Sequence, residues 1–279
     1  MEQPKDNLVL VQDASTSIPR NISTRRIRIV LPAYNEENSL APLLQGIEQA
    51  MGFHQFDYEI LLVDDGSQDR TLKVSRDNSQ RIPLRILQHV KNAGLGATIR
   101  DGLFDAVQRA DEHDVIVTMD ADNSHTPGLI LRMVRAVDEG CDVVIASRYA
   151  DGAQIHGVSL FRKILSLGAS WLFRLVLPIP GVKDYTCGYR AYRADILRSA
   201  FTRYRQTFVE QDGFQCMVDI LLKLRPMNLV FGEVPLILRY DRKRSQSKMK
   251  IGSTILGSLK LLARRRIEAW KEKLIPRST

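Results

Sequence analysis

Residues 114–125 read DVIVTMDADNSH. An unbroken apolar, β-branched run from Asp114 to Met119 ends on Asp120-Ala121-Asp122. A strand that faces water on one side alternates apolar and polar residues. A run without alternation marks a strand covered on both faces by crossover helices. The acidic pair then falls just beyond the carboxyl end of a buried strand, where open α/β sheets place their ligands.

Working outward, the same pattern recurs. The sequence predicts strands at Arg26–Leu31, Tyr58–Val63, Leu84–Gln88, Asp114–Met119 and Asp142–Ala146. Between and after them come helices at Ser39–Met51, Thr71–Asn78, Ala97–Arg109 and Pro127–Asp138, the last with proline in its first turn. Such alternation implies an α/β fold with a doubly wound, mostly parallel sheet. After Ala146 the pattern changes. A polar loop, Ser147–Val158, leads to an amphipathic helix over Ser159–Leu177, ended by Pro178 and Pro180. A short strand at Tyr189–Tyr192, two helices and a strand at Leu229–Val234 follow. The expected organisation is a polar mobile tail over 1–24, a catalytic domain over 25–238 and a basic, amphipathic segment over 239–279.

The composition is that of a core-forming globular chain: 279 residues, 44% hydrophobic and 26% charged. The net charge of +8 is concentrated at one end. From Arg239 onward there are 13 Lys and Arg against 3 acidic residues, while the first 238 residues carry 27 against 29. That distribution argues against a nucleic-acid-binding surface and for a basic segment that faces phosphates or an anionic membrane. Three separated cysteines, Cys141, Cys187 and Cys216, give neither a zinc pattern nor a disulfide framework, as suits a reducing cytosol. No apolar run reaches the roughly 18 residues of a membrane span, and the start of the chain lacks the apolar core of a signal peptide.

Each strand end carries chemistry. Pro32-Ala-Tyr-Asn-Glu-Glu-Asn38 follows the first strand, with Asn38 placed to cap the next helix. Asp64 and Asp65 follow the second. Two adjacent carboxylates repel one another unless a ligand or the chain satisfies them, and Asp69 reads as a helix-capping residue. His89, Lys91, Asn92, Gly94 and Gly96 follow the third strand, where glycine permits a ligand or a backbone to approach closely. Asp120 and Asp122 can both address a hard cation, one directly and one through water or a diphosphate oxygen. Mg2+ or Mn2+ there would stabilise a departing nucleoside diphosphate. Arg148 follows the fifth strand and Arg162 lies past the next loop; arginine matches phosphate geometry in bidentate fashion.

Together LPAYNEEN, VDDGSQDRT, NAGLGATIRDG, DADNSH, ASRYADG, DYTCGYRAYRADIL and EVPLILRYDRKRSQSK resemble the family 2 glycosyltransferases of GT-A fold, over about residues 26–250. The nearest branch comprises dolichol-phosphate mannose synthases and bacterial polyprenyl-phosphate glycosyltransferases. The resemblance implies that Pro32, Tyr34, Glu36, Asp64, Asp65 and Lys91 line a nucleoside pocket, to which Asp120 and Ala121 contribute. It implies that Asp120 and Asp122 hold the metal, and that Arg148, Arg162, Arg242, Ser247 and Lys248 gather donor and acceptor phosphates. The chain departs from the family where DADLQHPP is common, because Asn123, Ser124 and Thr126 intervene, and it carries Ser245 where glycine is usual.

The expected reaction is inverting transfer of a hexose, mannose from GDP-mannose first, from a nucleotide sugar to a polyprenyl (dolichyl) phosphate. UDP-glucose or UDP-GlcNAc as donor, a soluble hydroxyl acceptor, and a non-catalytic sugar-nucleotide-binding protein are the alternatives. An ionised phosphate acceptor needs no strong base, whereas a hydroxyl does. Glu210 and Asp212 in FVEQDGF, expected to open a helix, are the candidates for that base. The expected setting is the cytoplasmic membrane face, held peripherally by the apolar stripe and basic residues of Ile251–Trp270. The same stripe could instead pack within the protein or form a homodimer.

Overall fold

The computed structural model describes residues 7–12 and 25–243, except for the side chains of residues 160–165. Ten strands are described: β1 Leu8–Gln12, β2 Arg26–Ala33, β3 Asp57–Asp64, β4 Leu84–His89, β5 Val115–Thr118, β6 Val143–Ser147, β7 Gln154–His156, β8 Arg190–Arg193, β9 Phe231–Pro235 and β10 Ile237–Arg239. The helices are α1 Leu40–Phe53, α2 Thr71–Ser79, α3 Leu95–Arg109, α4 Leu129–Asp138, α5 Leu160–Val176, α6 Ala194–Tyr204 and α7 Cys216–Leu224. Eight strands form one sheet in the order β1-β4-β3-β2-β5-β8-β6-β9, and β7 pairs with β10 in a small second sheet.

The apolar runs are buried as their pattern requires. Ile27, Ile29, Val30 and Leu31 of β2, Ile60 and Leu62 of β3, Val115–Val117 of β5 and Val143–Ala146 of β6 have no exposed surface. Leu40, Leu43, Leu44 and Ile47 of α1 close one face at helical spacing. At the amino end of the strands, Arg28 is buried between Glu59 and Asp114, so this end of the sheet satisfies its own charges. Burial holds the Arg28 guanidinium below its usual value, against the pull of the two carboxylates.

Several expectations need correcting. Residues 8–12 are an edge strand, antiparallel to β4, where the sequence reading places a mobile tail. The strand expected at Tyr189–Tyr192 is β8, and it runs antiparallel between β5 and β6, so the sheet is mixed. Pro127 lies ahead of α4, whose N-cap is Gly128. Asn38 does not cap α1; Ser39 occupies that position without a side-chain bond, and the Glu36 carbonyl accepts from Ser39 N and Leu40 N. Glu210 and Asp212 do not open a helix, because α7 starts at Cys216 with Gln215 as N-cap. The boundary placed at 238 cuts through β10, which is laced to the body of the domain.

Helix α5 matches its expected span and leaves Leu167, Trp171 and Leu175 exposed at spacings of four, with Trp171 at 64% and Leu175 at 76%. Among the described residues no helix is long and apolar enough to cross a membrane. Ser247, Lys248 and Ile251–Trp270 lie outside the described residues, as does the side chain of Arg162.

Candidate active site at the carboxyl ends of the strands

Three loops at the carboxyl ends of β2, β3 and β4 are tied together by their own side chains. Asn35 N donates to Ser67 Oγ at 2.9 Å, and Gln68 N donates to Asn35 Oδ1 at 2.8 Å. Glu36 N donates to Thr71 Oγ1, while Asp69 accepts from Glu37 N and Thr71 N. Asp69 therefore serves the first turn of α2, as its position in the sequence implies. The third loop closes on Gly66, which has φ +70; a Cβ there would sit 2.8 Å from Asn92 N and from the Lys91 carbonyl carbon. Only glycine permits that approach.

The two adjacent acids of the second loop have different fates. Asp65 Oδ1 lies 2.7 Å from His89 Nδ1 and accepts from Ala93 N, and its Oδ2 accepts from Gly94 N. Both oxygens are thus committed to shaping the 89–94 loop. His89 is buried, and its other nitrogen lies 3.2 Å from Asp101. Burial opposes a charge on this ring, yet the bonds to Asp101 and Asp65 prevail and push it up to about 9. Asp64 is fully buried; its Oδ2 accepts from Ser67 N at 3.3 Å, and its Oδ1 has no hydrogen-bond partner among the described residues. Burial raises its carboxyl above the usual range, a cost that a ligand N–H or O–H would relieve. Tyr34 is part-exposed, Glu36 is buried, and Lys91 is exposed on the third loop.

The acidic turn after β5 is built differently. Asp122 Oδ1 accepts from Ser124 N at 3.0 Å and Ser124 Oγ at 2.6 Å, and its Oδ2 lies 2.6 Å from Lys243 Nζ. Burial works against the charge, but Lys243 and His125 hold Asp122 below the ordinary carboxylate range. Asp120 is pushed the other way, by desolvation and by the charge of Asp122. Its side chain is 39% exposed, and His125 Nε2 lies 3.9 Å from its Oδ2. No hydrogen bond to the Asp120 carboxylate is found among the described residues. His125 also accepts from Asp120 N and stacks on Tyr189 with ring centroids 4.9 Å apart. Gly188 passes beside Asp120, where a Cβ would lie 3.5 Å from Oδ1. Ala121, between the acids, is buried.

Two carboxylates one residue apart, one without a hydrogen-bond partner, fit a small hard cation completed by substrate phosphates and water. Among the described residues no cluster of three or more His, Cys, Asp or Glu could hold a metal unaided. The donor set therefore suits an ion that arrives with a diphosphate.

Arg148 stands at the end of β6. Its Nε and Nη2 donate to the two oxygens of buried Asp184 at 2.8 and 2.7 Å, and its backbone N donates to Asp184 as well. Asp184 also accepts from Thr186 N and Cys187 N. It sits well below the usual carboxylate range because Arg148 and these N–H groups outweigh burial. This pair aims the guanidinium and leaves Nη1 without a hydrogen-bond partner among the described residues. Asp184 escapes a reading of the sequence that quotes its motif without assigning the residue. In the same motif, Arg190 is fully buried and donates to the carbonyls of Met217 and Tyr185, so it braces the fold.

The remaining candidates are scattered. Glu210 Oε2 lies 3.3 Å from Lys223 Nζ, and Glu210 N donates to Asp219. The Asp212 carbonyl accepts from Gly96 N at 2.9 Å, and a Cβ on Gly96 would fall 1.7 Å from Gln211 O. The glycines of NAGLG thus admit the backbone of FVEQDGF. Arg242 lines a cleft of about 580 Å³ with Gln45, Gln49, Asn123 and Asp241, on the α1 side of the acidic turn. Lys243 and His125, which set the charge of that turn, are absent from the sequence-based site.

The fold has solved counterparts. A glucosyl-3-phosphoglycerate synthase from Mycobacterium tuberculosis, crystallised with Mn2+, UDP and phosphoglyceric acid, superposes with a TM-score of 0.63 at 21% identity, covering 87% of this chain and 78% of that one. The architecture is therefore of the GT-A type. Residues 28–201 match the sequence model of Glycosyl transferase family 2, and the chain belongs to that family. It is 32% identical over 240 residues to a dolichol-phosphate mannosyltransferase of Pyrococcus furiosus, covering 86% of this chain but 63% of that longer protein. It is 32% identical over 234 residues to a polyprenol monophosphomannose synthase of Mycolicibacterium smegmatis, covering 83% of each. An undecaprenyl-phosphate mannosyltransferase of Micrococcus luteus is 32% identical over 228 residues, covering 81% of this chain and 88% of that protein.

Proposed function

We propose that this protein transfers mannose, with inversion, from GDP-mannose to the phosphate of a polyprenyl lipid. The observation that carries the reading is the convergence of a buried, unpartnered Asp64 oxygen, the Asp120–Asp122 turn and Arg148 at the carboxyl end of one sheet. The activities for which the three mannosyl-transferring relatives are named support the choice of sugar and acceptor.

In this reading Asp64, with Tyr34, Glu36 and Lys91 on the joined loops, receives the nucleoside. Asp120 and Asp122 hold a Mg2+ or Mn2+ ion, which when bound supplies positive charge to the leaving diphosphate. Arg148, aimed by Asp184, offers its free edge to phosphate, and Arg162, Arg242, Ser247 and Lys248 belong to the acceptor side. A phosphate monoester is already ionised near pH 7. Catalysis is then mostly positioning and electrostatics, and Glu210, held by Lys223, is not needed as a base. The exposed Leu167–Trp171–Leu175 stripe of α5 and the basic residues from Arg239 onward support peripheral contact with an anionic membrane.

The test is a donor panel. The protein is incubated with Mn2+, polyprenyl phosphate and, in turn, GDP-mannose, UDP-glucose and UDP-GlcNAc. GDP release with formation of mannosyl lipid is expected. Lipid-dependent release of UDP in its place would change the donor, and no release from any sugar would remove the activity.

A further inference from the structure

Lys243 reaches the acidic turn from 121 positions along the chain, and its route is specified. β10 pairs in parallel with β7. Arg239 N donates to Ser124 O at 2.8 Å, Thr126 Oγ1 donates to Ile237 O, and a bridge joins Leu238 to His125. A single helical turn, Tyr240–Arg242, then brings Lys243 back, with its Nζ 5.4 Å from the Tyr240 ring centroid and 2.6 Å from Asp122 Oδ2. The Lys243 side chain is 13% exposed, so the pair is shielded from water.

The other oxygen of Asp122 is already filled by two donors from Ser124. Oδ2 is therefore the oxygen left for a cation, and an ammonium sits on it. An ammonium and a divalent ion on the same carboxylate oxygen repel one another, and at contact distance in a partly buried site that repulsion amounts to several kcal/mol. We propose that Lys243 and the divalent ion are alternative occupants of Asp122 Oδ2, so that arrival of the metal releases Lys243 toward the anionic groups of the substrates. The inference rests on the reading of Asp122 as a metal ligand. Until the metal arrives, the tethered ammonium relieves the repulsion between Asp120 and Asp122.

The test reads metal binding without turnover. With GDP present as a non-reacting diphosphate, Mn2+ is titrated into the full chain and the free ion is read by electron paramagnetic resonance, for the wild type and for Lys243→Met, Lys243→Gln and Lys243→Arg. If the lysine holds Asp122 about nine-tenths of the time, apparent affinity is lowered roughly tenfold by that occupancy. The Met and Gln variants should therefore bind Mn2+ about tenfold more tightly, and the Arg variant close to the wild type. Two neutral substitutions, each checked by thermal melting, guard against a single misfolded variant. Unchanged or weaker Mn2+ binding in the folded neutral variants would overturn the proposal. Asp122→Asn, alone and combined with Lys243→Met, separates the two readings. If Asp122→Asn abolishes Mn2+ binding while the neutral variants match the wild type, only the role of Lys243 fails. If the double variant binds as Lys243→Met does, the ion is not on Asp122 and both readings fail.

Discussion

Two acidic pairs stand at the ends of β3 and β5, the strands on either side of β2, and the fold treats them in opposite ways. After β3, Asp65 is consumed by His89 and two backbone N–H groups. After β5, Asp120 meets only a distant imidazole, and Asp122 is neutralised by a lysine on a flexible four-carbon stem. Backbone donors cannot be displaced without unfolding a loop, whereas a lysine can be exchanged for another cation. Carboxylates of similar position can therefore be structural or functional, and the nature of their partners tells which.

The strongest way to break this comparison is Asp122→Asn. Losing metal-assisted stabilisation of a leaving diphosphate should cost several kcal/mol of barrier, about a thousandfold or more in turnover. The amide oxygen can still accept from Ser124 N, but the Lys243 ammonium loses its partner, so the melting temperature should fall modestly with the protein still folded. Wild-type turnover in this variant, indifferent to chelator, would remove the metal assignment.

Arg148 tests whether a side chain held by a buried carboxylate can still be functional through its remaining edge. Arg148→Lys keeps the charge near Asp184 but loses the fork, and we expect turnover to fall about ten- to hundredfold with nucleotide affinity nearly unchanged. Equal losses in both, measured by steady-state kinetics and nucleotide titration, would make Arg148 a donor-binding group only.

A pH series sharpens the structural half. His89 is held charged up to about pH 9, between Asp65 and Asp101, with Arg100 also bonded to Asp101. Its folded value lies above the unfolded value of about 6.5, so its contribution, about 3 kcal/mol by linkage, is complete below that pH and is lost as pH rises through 9. Urea unfolding of the wild type should weaken between pH 7 and 10, and His89→Gln should flatten that decline. An equal decline in both would place the titrating group elsewhere.

The smallest effect concerns the surface. Trp171→Ser should leave stability within about 0.5 kcal/mol and reduce co-sedimentation with anionic vesicles several-fold. Undiminished vesicle binding would move membrane contact away from α5.

Much of this arrangement can be read in the sequence. Contiguous runs such as YEILLV and DVVIA announce buried strands, and the acids that follow them announce the rim. What escapes is whatever depends on distant pairing. β8 is four residues long and carries two arginines. The orientation of so short a strand is set by its neighbours, and the guanidinium of Arg190 donates to carbonyls of other segments. Leu8–Gln12 is five residues between polar stretches, too short for periodicity to distinguish it from a tail. Lys243 is one cation in a basic run, and no local pattern marks it as the one that reaches Asp122. Asp184 likewise becomes legible only once β6 brings Arg148 beside it.

The most direct test of the contrast between the two pairs is a crossed measurement on Asp65→Asn and Asp122→Asn. Mn2+ affinity with GDP present and unfolding free energy in urea are determined for both. Asp65→Asn should lose about 3 kcal/mol or more of stability, because His89 and two N–H groups lose a buried charge, while the folded fraction keeps its Mn2+ affinity. Asp122→Asn should lose less stability than Asp65→Asn, because the flexible Lys243 side chain can turn its ammonium to water, and should lose Mn2+. The opposite pattern, with Asp65→Asn stable and Asp122→Asn still binding Mn2+, would contradict the account.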